Sequence, residues 1–168
     1  MKIFFHRQPS YKSLIVVLVG FRIFYAAFLT VIQYYAWSKG TLTKFLLNSP
    51  RYFLFYAFGR FWLNALIAIA AAFAFYLFLK FLKKYRERFF EESETELGFL
   101  AALLVGWPNF VIFVALVFVS VVLLAVFRRL ALRKMYTTLG WPFLLAALLT
   151  LIWGSWLIQI LHLGVLRI

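Results

Sequence analysis

Few residues in this chain are of a type that carries chemistry. All five acidic residues are glutamates, Glu87, Glu91, Glu92, Glu94 and Glu96, and they fall within ten positions of one another; there is no aspartate and no cysteine. Two carboxylates sharing one site could divide the roles of general acid and base, but this spacing is not that of an oxygen-ligand calcium loop. The lack of cysteine removes disulfides, thiolate metal sites, iron–sulfur ligation and cysteine nucleophiles. His6 and His162 stand at opposite ends of the chain, with no carboxylate beside either. No metal site and no cofactor are expected. No phosphate-binding glycine loop, dinucleotide fingerprint, Ser–His pairing or HExxH motif is present.

The cations are more informative. Eighteen Lys and Arg residues give a net charge of +13. Most lie in short polar stretches, where they suit anionic lipid headgroups and set orientation, so lipids rather than nucleic acid are the expected partners. Arg22 and Arg60 are different, because each is embedded in an apolar run. A cation at mid-bilayer is costly unless it is paired, hydrated or turned toward protein. Arg22 has three readings: a charge pair with Glu94 or Glu96, a side chain that snorkels to a lipid phosphate, or a partner for the carboxylate of another subunit. Arg60 suits snorkelling. Asn64, Gln33, Ser120 and Gln159 suit hydrogen bonds between helices. The candidate polar or charge-pair positions are therefore Arg22, Arg60, Asn64, Glu94 and Glu96.

The elements that must position these residues follow from composition. Hydrophobic residues make up 66% of the chain, against about 45–50% in ordinary globular domains. A chain of 168 residues cannot hide that much apolar surface in a soluble fold. Apolar runs of about 20 residues recur, enough to cross a hydrocarbon core roughly 30 Å thick. The expectation is an all-α, polytopic transmembrane helix bundle forming a single domain, with segments over residues 13–37, 52–79, 92–106, 109–127 and 139–163. The first run is long and lacks a small-residue cleavage site, so no cleavable signal peptide is expected.

Residues 97–127 are too long for one ordinary span, and Gly106-Trp107-Pro108-Asn109 interrupts them. Proline removes a backbone donor and disfavours helix in the residue before it. The reading is a helical hairpin over 92–127. Charge supports it. A single helix would leave nine Lys and Arg on one side of the membrane and seven on the other; a hairpin gives twelve against four, with Arg22 and Arg60 omitted from both. The sharper bias is what orientation by Lys and Arg produces. It places the amino terminus in the cytoplasm and the carboxy terminus outside, as in a bacterial inner membrane.

One further pattern lies in the second half. Glu91-Glu92-Ser93-Glu94-Thr95-Glu96-Leu97 is followed by GFLAALLVGWPN, then VIFVALVFVSVVLLAVF, then RRLALRKM, then LGWPFLLAALLTLIWG. Over about 70 residues this order resembles the type IV prepilin peptidase family, membrane aspartyl proteases with a Gly-x-Gly-Asp motif. GWPN and Trp141-Pro142-Phe143-Leu144 are the most specific pieces. The resemblance implies a membrane fold and a pair of catalytic aspartates, and here the chemistry departs. Glu94 aligns with the motif aspartate, Glu91 and Ser93 with the motif glycines, and Lys2 with the second aspartate. A glutamate is one methylene too long to keep a dyad's geometry unaided, and a lysine cannot serve in one. The resemblance thus implies a truncated, non-proteolytic relative. The expected function is a non-catalytic integral membrane protein, a structural or assembly subunit of a membrane complex whose partners are other membrane proteins. The alternatives are a protease using Glu94, and a small transporter or channel module in which Arg22 and Arg60 contact anions.

Overall fold

A computed structural model describes residues 11–41, 43–85, 93–131 and 139–166, and these are entirely helices and their connections. Helix α1 covers Lys12–Lys39 and ends at Gly40. A short helix, α2 (Lys44–Leu47), leads to α3 (Pro50–Ala57). Pro50 sits in the first turn of α3, where its missing N–H has no intrahelical acceptor to lose. One wide π-type turn, Phe58–Trp62, joins α3 to α4 (Leu63–Tyr85), so residues 50–85 form one rod with Lys83 and Lys84 at its exit. Cations there complement the helix dipole. Helices α5 (Glu94–Val105), α6 (Asn109–Ala131) and α7 (Gly140–Ile160) follow, then a 3-10 turn at Leu163–Leu166.

Four helices are long and apolar enough to cross a membrane: Lys12–Lys39, Pro50–Tyr85, Asn109–Phe127 and Gly140–Ile160. The molecule is a membrane-integral helical bundle. The run over 97–127 is broken at Gly106–Pro108, as the hairpin reading requires, but its two arms are unequal. At 1.5 Å per residue α5 is roughly 18 Å long, short of a core roughly 30 Å thick. It is not a lipid-facing span. Eight of its residues are buried, from Glu94 to Val105, among α1, α4, α6 and α7.

Small residues make that enclosure possible. Ala101 and Ala102 of α5 share one core with Ala72 of α4 and with Ala146 and Ala147 of α7. A Cβ at Gly98 would collide with the Leu79 side chain and crowd Phe143. Without a hydrophobic drive between helices in lipid, this close approach is the main source of association. Phe75 anchors the centre, meeting Phe110, Phe113 and Phe143 edge to face at ring distances of 5.8, 5.7 and 6.0 Å.

At the opposite end, Trp37 of α1 packs on Phe53 of α3, with Tyr34, Tyr52 and Tyr56 around them. Amphipathic rings of this kind favour the membrane–water boundary. Helix α1 otherwise buries little: only Ala26 and Trp37 are inaccessible along its length.

Candidate functional site

Helix α5 stops where the backbone needs help. The last carbonyls of any helix lack intrahelical donors, and at membrane depth no water relieves them. Gly106 supplies one cap, its N–H donating to Ala102 at 3.0 Å. Arg22 serves two more of these carbonyls. Its Nε and Nη2 donate to the Leu103 carbonyl at 3.1 and 2.6 Å, and Nη2 reaches the Leu104 carbonyl at 3.4 Å. The guanidinium thus lies at the negative end of the helix dipole. Gly106 adopts φ +66 and ψ 176, a conformation essentially confined to glycine, and a Cβ there would overlap the Arg22 guanidinium.

The other end of α5 is fastened by a carboxylate. Glu94 is 5% exposed, and its Oε1 accepts a hydrogen bond from the Gly140 N–H at 2.6 Å. The acceptor sits at the start of α7, where negative charge is favoured. Glu96 lies in the first turn of α5, 3.8 Å from Lys12 Nζ, in a pair whose lysine is solvent-exposed. Such a pair contributes little.

These positions decide the sequence readings. Glu94 and Leu103 are nine residues apart on one helix, roughly 14 Å at the α-helical rise. Arg22 and Glu94 therefore serve opposite ends of α5 rather than each other. Nothing in residue type or spacing signals that an arginine 81 residues away caps this helix. What could have shown it is the pairing of two costs: a cation too deep and a helix too short. Two further side-chain bonds tie elements together. Trp62 Nε1 donates to Thr30 Oγ1 at 3.2 Å, joining the wide turn to α1, and Trp107 Nε1 donates to the Leu166 carbonyl at 2.9 Å. Lys2, His6, Glu87, Glu91 and Glu92 lie outside the described residues.

Arg60 and Asn64 do converge on Arg22. All three line one cleft of about 370 Å³ between α1, the wide turn with the start of α4, and the end of α5. Leu18, Phe21, Tyr25, Leu29 and Phe61 form most of the remaining wall, and no carboxylate does. Neither Arg60 nor Asn64 has a hydrogen-bond or ion-pair partner among the described residues. Among those residues no three His, Cys, Asp or Glu side chains come together to hold a metal ion.

No protein-family model matches the chain, and no curated protein and no solved structure matches it either.

Proposed function

We propose that this chain is a non-catalytic subunit of a membrane complex, with a structural or assembly role. The observation that carries this reading is the engagement of Glu94. Acid–base hydrolysis by the resembled peptidases needs two carboxylates facing one water, with affinities for protons split by their repulsion. Here the carboxylate at the motif position is buried and holds the Gly140 amide at 2.6 Å. The other described carboxylate, Glu96, faces Lys12. In this arrangement Glu94 fixes α5 against α7 instead of holding a water. The relation to prepilin peptidases is then one of a relative that keeps the helical order and lacks the dyad.

The subunit role draws on α1. A helix of 28 residues that buries only two of them leaves a long exposed face to lipid or to a neighbouring protein. The charge bias supports an amino terminus in the cytoplasm and a carboxy terminus outside, and the membrane we propose is a bacterial inner membrane.

The test has two arms. The purified chain is incubated in proteoliposomes with a prepilin-type leader peptide; no cleavage is expected, from the natural chain or from Glu94→Gln. Native membranes are also solubilised in mild detergent and the chain sized, with the expectation that it migrates in a particle larger than its monomer. Cleavage that Glu94→Gln abolishes would replace this reading with that of a protease, and a lone monomer in native membranes would remove the subunit role.

A further inference from the structure

The cleft leaves one cation over. Depth alone would assign a partner's carboxylate to Arg22, but that guanidinium is committed to the carbonyls of Leu103 and Leu104 at the end of α5. Arg60 is not committed. It is exposed, it lines the cleft with Asn64, and neither side chain has a hydrogen-bond or ion-pair partner among the described residues. Arg60 lies seven residues past Phe53, roughly 10 Å inward of the aromatic boundary at the α-helical rise. The wide turn at Phe58–Trp62 holds it there, and such turns are frequent at functional sites.

A guanidinium at this depth needs a counter-charge that reaches it without water. This chain has none to give. Its glutamates all fall at positions 87–96, and none lies within the four spanning helices. Glu94 and Glu96 belong to the first turn of α5, at the far end from the cleft. A second copy of the chain has the same lack. The remaining source is a carboxylate carried into the bilayer on a spanning helix of a different protein, where Asp or Glu is itself tolerated only when paired. The surface beside Arg60 suits such a helix. Phe21, Tyr25 and Leu104 are exposed along the cleft, and the small Ala65 among them lets a backbone come close.

We propose that Arg60, with Asn64 donating beside it, is the docking point for a transmembrane helix of another protein that carries an aspartate or glutamate about two turns inside the membrane boundary. This rests on the subunit reading and names the chemistry of the partner. Arg60 makes the pair, while Arg22 keeps its bonds to α5 and adds only its field.

The full chain is tested in two settings. In phosphatidylcholine liposomes at mildly alkaline pH, it is titrated with a labelled Leu-Ala spanning peptide of about 20 residues. One version carries a glutamate about two turns from its end and the other a glutamine, and binding is read by energy transfer. The glutamate peptide should bind about tenfold more tightly, the factor that one charge-assisted hydrogen bond is worth. Arg60→Gln should lose most of that preference, Arg60→Lys part of it, and Asn64→Leu a smaller share. Helicity and amide exchange across residues 103–106 should stay unchanged, since the Arg22 cap is untouched. Moving the glutamate out to the peptide's flank should abolish the preference. Equal binding of the two peptides would overturn the proposal, as would an undiminished preference in Arg60→Gln.

In native membranes, Tyr25 is replaced by the photoreactive p-benzoylphenylalanine and the captured segment is sequenced. An apolar run containing an aspartate or glutamate is expected. Capture of a run without an acid, of a second copy of this chain, or of lipid alone would overturn the proposal. A large native particle that forms equally well with Arg60→Gln would remove the docking site and leave the subunit reading standing, whereas a natural chain that is a lone monomer would remove both.

Discussion

Arg22 and Leu103, 81 residues apart in sequence, are joined by two hydrogen bonds from one guanidinium to one carbonyl, at 3.1 and 2.6 Å. Each residue is a liability taken alone. An arginine halfway along an apolar helix lacks water, and a helix roughly 18 Å long ends its carbonyls inside the bilayer. Irregular backbone is tolerated at that depth only where protein encloses it and satisfies its polar groups. The cation and the helix end offset one another, and α1, otherwise so little buried, is tied to the bundle at that point.

Loss of that cap should be measurable as stability. Arg22→Leu removes three donor contacts and should lower the unfolding free energy by about 2–3 kcal/mol, the net worth of hydrogen bonds to a charged group after relief of its burial. Arg22→Lys keeps the charge but not the fork and should lose about half as much. Denaturant titration in detergent would measure both, and amide exchange across residues 103–106 should quicken in the leucine variant. Equal stability of all three proteins would mean that Arg22 faces something other than this helix end.

Gly106 offers a sharper comparison. Gly106→Ala places a Cβ in a backbone conformation reserved for glycine and against the Arg22 guanidinium, at a cost of about 1–3 kcal/mol. Gly20 lies in α1 with nothing near its missing Cβ, so Gly20→Ala should be neutral or stabilising by up to about 1 kcal/mol. Thermal unfolding should place Gly106→Ala below the natural chain and Gly20→Ala level with it or above.

Much of the architecture was legible in the sequence because lipid imposes a simple rule. Length and apolarity place α1, the 50–85 rod, α6 and α7, and Pro108 with Gly106 marks the break between α5 and α6. The rod runs further than the expected 52–79, and the wide turn at Phe58–Trp62 leaves no trace in hydropathy, because a turn wider by one residue does not alter the apolar content of an already apolar run. Helix α5 was the hardest to read. Its residues are as apolar as a true span, and only the positions of its neighbours reveal that it is enclosed. Of the candidate site residues, Arg22, Arg60 and Asn64 meet in one cleft, an approach set by how α1 crosses the rod. Glu94 stands out in the sequence by its place in a motif, while its task at Gly140 depends on the start of α7, 46 residues on.

That task separates a cap from a catalytic group. Glu94→Ala should cost about 1–2 kcal/mol, as the loss of a side-chain cap does elsewhere. Glu94→Gln retains an oxygen acceptor for the Gly140 N–H and should cost less than half of that. Hydrogen exchange at residues 140–143 reads the cap directly and should rise in the alanine variant before any change in helices α1 or α4. A glutamine variant as destabilised as the alanine one would show that charge, not the hydrogen bond, does the fastening.

The same contacts fix which helix ends share a side. Lys12 meets Glu96, and Glu94 meets Gly140, so the starts of α1, α5 and α7 lie together, with the end of α4. Trp37 meets Phe53, which puts the end of α1 with the start of α3 on the other side. Because the chain has no cysteine, single cysteines report without background. Lys84→Cys is expected to react with an impermeant maleimide only from the cytoplasmic side, and Phe45→Cys and Leu161→Cys only from outside, all three side chains being exposed. Reversal of all three would keep the bundle and overturn the orientation drawn from Lys and Arg. Labelling of Leu161→Cys from the same side as Lys84→Cys would instead overturn the hairpin, because α7 would then have to start at the far end from Glu94, where its amide could not reach the carboxylate.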